Sequence, residues 1–555
     1  MNGGLRIFAF LFLLCPGFGI CIQDVQGQGR EYAKHGWQLL DYRDDAVFGA
    51  GVTRAYHLLL KGKRSHPVIV AVIDGGLDTA HEDLTGHIWT NKKEIPGNGI
   101  DDDHNGYVDD IHGWNFLGGK DGRNIVVESF ESYREYYRLT HLHSLSPDST
   151  EDDAAKDYLD RVKKGFLKDS LGQARTVAMV AKIIPQMQFT DSLLRAVLQK
   201  DSLYVSDIKK LQSPDSLVSE ERKNGLQYFR KYGIASDMSL GKFILEAEKY
   251  LEGAKQELNS FSVDPNAQRR DIVKDDFNNI GDRNYGNNNI AAGNSSHATH
   301  VAGIIAASRN NGKGIDGIAD NVLIMPVRAV PEGDERDKDI ALAIRYAVDN
   351  GARIINLSFG KYFSPGEKWV DDAIKYAAAH DVLLVHGAGN EGVNIDSVAN
   401  YPNPGFAEGC RGSSVFITVG ASNSGPDSLI VARFSNYGQS AVDLFAPGVK
   451  IYSTVSGNQY ETYSGTSMSA PVVTGIAALL LEYYPRLSAR QLKYIIVHSV
   501  TKLPGSKVKM AATGRIVDFK TLSAGDGLVN AYNAMKLAAT LKGERRKTLI
   551  MKAIR

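Results

Sequence analysis

The feature that most constrains the fold is an apolar run of strand length that recurs along the chain. Pro67-Val-Ile-Val-Ala-Val-Ile-Asp74 stops at Gly75-Gly76, and similar runs occupy 322–330, 353–359, 382–386 and 415–419. A strand buried on both faces reads as such a continuous run, without polar alternation. Stretches of helical spacing lie between some of them, at 339–350 and 369–380. Strands alternating with helices predict an α/β fold, a parallel β-sheet flanked by helices in three layers. Ligand sites of open α/β sheets gather at the carboxyl ends of the strands, which singles out Asp74.

The segment 122–270 differs in kind. It is rich in Lys, Glu, Asp, Leu and Tyr and lacks the Val/Ile runs. Tyr158, Leu159, Val162 and Phe166 recur at helical spacing, as do Leu193, Leu194, Val197 and Leu198. Pro214-Asp-Ser and Thr190-Asp-Ser read as helix starts. This segment is expected to be a helical insertion that splits the α/β part into 36–121 and 271–540, with a basic tail at 541–555.

Lys plus Arg equals Asp plus Glu at 64 each, so no global field draws nucleic acid to the chain, and none is expected as a partner. The N-terminus reads as an export signal over 1–19, with cleavage as late as 27 the alternative. Arg6 is its basic start, 7–14 its apolar run, and Gly17 and Gly19 its small residues. A run this short falls well below the ~20 residues that span a bilayer. No second apolar stretch of membrane length follows, so no transmembrane segment is expected once the signal is removed. The expected location is periplasmic or secreted. A lipoprotein tether at Cys15 or Cys21 is the alternative, against which stand Leu14 and Ile20, large where such signals carry a small residue. Cys15, Cys21 and Cys410 make no disulfide framework, although a Cys21–Cys410 pairing stays open. About 20 to 30 residues separate the signal from the fold, too few for an independently folded pro-domain.

Three short motifs carry chemistry. Val70-Ala-Val-Ile-Asp74-Gly75-Gly76 ends a strand on a carboxylate. His297-Ala298-Thr299-His300-Val301-Ala302-Gly303 places a histidine where a helix of small residues can start. Gly465-Thr466-Ser467-Met468-Ser469-Ala470-Pro471 precedes an apolar helical stretch. Pro471 belongs in a first helical turn, where its missing N–H costs nothing. The His297/His300 pair has no third ligand at zinc-like spacing.

In the order Asp, His, Ser, these motifs resemble those of the subtilase family of serine peptidases. Ile355-Asn356-Leu357-Ser358-Phe359-Gly360 is similar to the family strand that pairs with extended substrate. His386-Gly387-Ala388-Gly389-Asn390-Glu391-Gly392 is similar to the loop carrying the oxyanion-hole asparagine. The resemblance implies a subtilisin-like fold and an exported serine endopeptidase, with Asp74, His297 and Ser467 catalytic and Asn390 in the oxyanion hole. It implies substrate contacts at Ser358, Phe359, Gly360, Gly387, Ala388 and Gly389, and protein or peptide substrates. Two positions depart from the family pattern: Ala298 stands where Gly is usual, and Gly75 where Ser or Thr is common.

The stretch Asp101-Asp-Asp-His-Asn-Gly-Tyr-Val-Asp109 begins like an EF-hand loop. Asp101, Asp103, Asn105, Tyr107 and Asp109 are its expected calcium ligands, with Gly106 at the sharp turn. His112 replaces the bidentate Glu of a true EF-hand, so a helix-free structural calcium loop is expected. No cofactor is expected for catalysis. The cleft wall is small and apolar with no evident acidic anchor, so hydrophobic substrate residues are expected before the scissile bond. A function of another class is a catalytically weak, subtilase-like binding module that docks partners on the helical insertion.

Overall fold

The structure, a computed structural model, describes residues 35–142, 153–232, 234, 236, 238–403, 413–425, 429–503, 507–510 and 513–545. The export signal, all three cysteines and the tail beyond 545 lie outside the described residues. Residues 132–265 form one compact unit, and 35–131 with 266–545 form the other.

The second unit is built on seven strands: β1 (Val68–Asp74), β2 (Trp114–Asn115), β3 (Val322–Arg328), β4 (Ile354–Leu357), β5 (Leu383–Gly387), β6 (Phe416–Ser422) and β7 (Leu444–Pro447). Their order is β2-β3-β1-β4-β5-β6-β7, and every pairing is parallel. Val70 to Asp74 are all buried, so both faces of β1 are covered, as the unbroken apolar run requires. The expected α/β sheet is therefore present. Asp74 pairs with Arg328, Ile73 with Leu357, and Leu357 with His386. Because all strands point one way, this register brings Asp74, the 358–360 segment and the 387–390 segment to one edge of the sheet.

The helices Ser296–Ala306, Asp337–Asp349, Glu367–Ala379 and Thr466–Tyr483 pack against these strands. Thr466–Tyr483 is apolar enough to cross a membrane, yet it is buried against the sheet and serves as a core helix. Pro471 is not in its first turn, because the helix already begins at Thr466. The proline withholds an N–H from the Ser467 carbonyl four residues back, and the Ser358 hydroxyl takes that place, donating to Ser467 O at 2.9 Å. A second sheet, the hairpin β8 (Ile451–Val455) and β9 (Gln459–Tyr463), packs on the Ser296–Ala306 helix. Gly303 permits the close approach: a Cβ there would collide with the Thr454 and Ser453 hydroxyls. Those hydroxyls donate to the Thr299 and His300 carbonyls at 2.6 and 2.8 Å.

The first unit is helical. Its main helices are Asp153–Leu198, Val205–Lys210, Ser216–Lys231 and Leu240–Ser260, closed over a core that includes Ile184, Met187, Leu194, Ile208, Phe229 and Phe243. Asp215 caps Ser216–Lys231 by accepting from Val218 N at 3.0 Å. Thr190-Asp-Ser starts no helix; it lies inside the 46-residue helix Asp153–Leu198. The Thr190 hydroxyl bonds back to the Gln186 carbonyl at 3.1 Å, which satisfies it without a helix end.

Candidate active site

Asp74 ends β1, and its buried carboxylate faces the imidazole of His297. His297 Nδ1 lies 2.8 Å from Oδ1 and 3.0 Å from Oδ2. Gly75 N donates to the same Oδ1 at 2.7 Å, so the carboxylate is held from two sides. His297 is the second residue of its helix, and its side chain is 35% exposed. Burial disfavours the imidazolium, but the charge and hydrogen bond of Asp74, with a smaller contribution from Glu332, outweigh it. His297 is therefore held above the ordinary histidine value.

His300 shares no site with it. Its Nε2 lies 3.1 Å from the Ile451 carbonyl and 3.2 Å from that of Glu461, and its ring stacks on Tyr463. Burial lowers its pKa to about 3, so it is a neutral donor that ties its helix to the hairpin.

Ser467 is the second residue of Thr466–Tyr483 and half-buried. Its hydroxyl donates to the Ser358 carbonyl at 3.1 Å, not to His297. Before substrate binds, such contacts are often off their working alignment. The backbone around it is pinned: Asn356 Nδ2 donates to Ser358 Oγ at 2.8 Å, and the Thr474 hydroxyl to Asn356 Oδ1 at 2.9 Å.

Asn390 follows β5 and is half-exposed. Its Oδ1 accepts from Thr466 N at 2.9 Å and from the Thr466 hydroxyl at 3.1 Å. That fixes the amide plane and leaves Nδ2 without a hydrogen bond among the described residues. Gly389 has φ 97, and a Cβ there would clash with Asn436 Nδ2, so only glycine suits this turn.

The other segments singled out by sequence divide. Ser358 and Gly389 lie beside Ser467 and Thr466, Gly389 N donating to the Thr466 hydroxyl at 3.1 Å. The Phe359 carbonyl is 2.8 Å from Nε2 of His386, a neutral ring whose pKa burial lowers to about 4. Gly360 packs against Tyr401, Asn400 and the same His386 ring. Gly387 packs on the Thr466 backbone, and Ala388 is fully buried with its carbonyl taken by Asn400 and Asn436. Sequence reading missed His386 as a link between the two segments, because a lone histidine in a strand carries no signal of its partner.

In the acidic loop, carboxylate oxygens of Glu94, Asp101 and Asp103 all lie within 4.8 Å of one another. Asp109 is not of this group; its carboxylate accepts from Gly97, Asn98 and Gly99 N at 2.8, 3.3 and 2.9 Å. Asn105 turns Oδ1 to Tyr107 N at 2.8 Å and Nδ2 to Asp110 at 3.1 Å. Glu94, buried and 6% exposed, was missed because it lies outside the Asp-rich spacing.

A family model described as the Subtilase family matches residues 65–514. The thermophilic serine proteinase of Bacillus sp. (strain AK1) is 39% identical over 241 residues, 43% of this chain and 52% of that protein. Subtilisin DY of Bacillus licheniformis is 35% identical over 212 residues, covering 38% of this chain and 72% of that protein. Thermitase of Thermoactinomyces vulgaris is 34% identical over 241 residues, covering 43% of this chain and 75% of that protein. The chain spans a little over half the length of the first two relatives matched, 52% and 58%. With the match running across β1, the His297 helix, the Asn390 loop and the Ser467 helix, the chain belongs to the subtilase family.

Proposed function

We propose that this chain is an exported serine endopeptidase whose nucleophile is Ser467, whose base is His297 and whose orienting carboxylate is Asp74. The observation that carries the reading is the Asp74–His297 pair, with Nδ1 held between both carboxylate oxygens at 2.8 and 3.0 Å. That contact makes Nδ1 the donor and leaves Nε2 free to accept a proton.

The chemistry follows from these atoms. A substrate peptide lies extended along 358–360, held through backbone groups. The Ser467 hydroxyl leaves the Ser358 carbonyl, gives its proton to His297 Nε2 and attacks the substrate carbonyl carbon. Asp74 stabilises the imidazolium that forms. Negative charge grows on the former carbonyl oxygen, where Asn390 Nδ2 and the Ser467 N–H donate. Ser467 sits at a helix N-terminus, whose dipole favours that charge. His297 then protonates the leaving amine, and water repeats the sequence on the acyl-enzyme. Gly387 and Ala388 support this cleft from beneath; Ser358, Phe359, Gly360 and Gly389 line it.

Calcium fits the acidic loop as a structural ion. Three converging carboxylates repel one another without a cation, and oxygen-only ligands suit a hard ion. Glu94, Asp101 and Asp103 would hold it, and its contribution there is to brace the loop. Asn105, Tyr107 and Asp109 shape the turn. The helical unit is proposed as an insertion on the Asp74-to-His297 connection that offers a docking surface for partners.

Steady-state cleavage of casein tests the catalytic reading. Wild type is expected to turn over, and Asn390→Ala to lose about 100- to 1000-fold in kcat with little change in KM. An Asn390→Ala variant as fast as wild type would remove Asn390 from the oxyanion hole.

A further inference from the structure

Glu332 stands where the chain leaves β3 and passes the Asp74 end of β1. Ala329 and Val330 N donate to the Asp74 carbonyl at 3.0 and 3.2 Å. Gly75 keeps the passage open: a Cβ there would lie 3.3 Å from the Val330 carbonyl oxygen and 3.5 Å from that of Asn294. Two residues beyond Val330, the backbone of Glu332 is fastened on both sides. Its N–H donates to Val126 O, and its carbonyl accepts from Glu128 N, each at 2.8 Å.

The side chain is fixed as well. Asn294, three positions before His297, donates Nδ2 to Glu332 Oε1 at 3.1 Å. Oε2 makes no hydrogen bond among the described residues, and the residue as a whole is half-buried. Arg328 is close enough to act on Glu332 electrostatically, but it donates to the Gly75 carbonyl at 3.0 Å, Asn115 Oδ1 at 2.9 Å and the Ile125 carbonyl at 2.6 Å.

Glu332 is thus an anchored carboxylate with one oxygen uncommitted, in mutual electrostatic contact with His297 and Asp74. Burial and the Asp74 charge hold its carboxyl above the ordinary range, against the pull of Asn294, His297 and Arg328. An arriving cation would relieve that cost.

Resting on the peptidase reading above, we propose that Glu332 is a substrate-binding residue that receives a lysine or arginine side chain flanking the scissile bond. The substrate class is then basic peptides, with Asn294 as the residue that positions the carboxylate. The competing role is structural, in which Glu332 only offsets the buried charge of Arg328.

Matched internally quenched peptides, with Lys or Leu at each position flanking the scissile bond, separate the two. Wild type should favour Lys over Leu at one position by about tenfold in kcat/KM, carried by KM, with the preference shrinking as salt rises. Glu332→Gln should bring that ratio near one, both peptides being compared in the same assay above the acid limb of His297, and Glu332→Lys should turn the preference toward Leu over Lys. The same ratio in wild type and Glu332→Gln, or a Tm loss with equal slowing of both peptides, would overturn the proposal. A wild type without a Lys preference at any position would do so even if the variants failed to fold. Fluorophosphonate labelling of both proteins runs alongside. Labelling without Lys discrimination rejects Glu332 alone, whereas no labelling rejects the peptidase reading and this proposal with it.

Discussion

At the scale of single residues, the Asp74–His297 pair has a consequence for pH. The proposed mechanism needs His297 neutral, and its pKa lies above the ordinary histidine value because Asp74 outweighs burial. Activity should therefore fall as pH drops through a value above ~6.5, the unperturbed imidazole. The acid limb of kcat/KM, which reports the free enzyme, measures it. Asp74→Asn should move that limb down and slow turnover by roughly 10⁴-fold. An acid limb at or below the unperturbed value in wild type would show that Asp74 does not govern the base. Asp74, His297, Asn390 and Ser467 were all nameable from sequence because each sits in a short motif. Glu332, Glu94 and His386 were not. Glu332 and His386 act through Asn294 and Phe359, 38 and 27 positions away, and spacing carries no record of such meetings; Glu94 lies close to Asp101 and Asp103 in the chain but outside the Asp-rich motif.

At the scale of elements, the hairpin β8–β9 and the Ser296–Ala306 helix meet through Gly303, where a side chain finds the Thr454 and Ser453 hydroxyls in its place. Gly303→Val should force the two apart and cost about 1–3 kcal/mol of stability, read as a lower Tm. An unchanged Tm would show that the helix can shift freely. Ala298 is compatible with this packing, being 1% exposed within the same helix. Five strands were legible because each lies in a largely apolar stretch, although β4, with Asn356 inside it, is itself only four residues. β2 and β7 escaped notice: the first is two residues, and the second is four residues ending in Pro447. Pro471 was misplaced by a turn because sequence alone does not reveal that the Ser358 hydroxyl takes over the Ser467 carbonyl. Thr190 was misread because a hydroxyl that can cap a helix can also bond back within one.

At the scale of the whole molecule, the parallel sheet does the assembling. Its register sets three strand ends side by side, so Asp74, the 358–360 segment and the 387–390 segment converge without any long-range sequence signal, and Ser467 joins them through the Ser358 carbonyl. The acidic loop bears on stability, not on that convergence. Chelation should lower Tm reversibly, calcium should restore it, and Glu94→Gln should blunt the response, all by calorimetry on protein with Ser467→Ala to prevent self-digestion. A Tm indifferent to chelator would remove calcium from the account.

The central claim is that Ser467 is a nucleophile activated by His297. It is tested most directly by treating the protein with a fluorophosphonate and locating the adduct by mass spectrometry. One adduct is predicted, on the peptide containing Ser467, formed by wild type, greatly slowed in His297→Ala and absent in Ser467→Ala. No adduct on folded wild type, or an adduct that persists in Ser467→Ala, would contradict it.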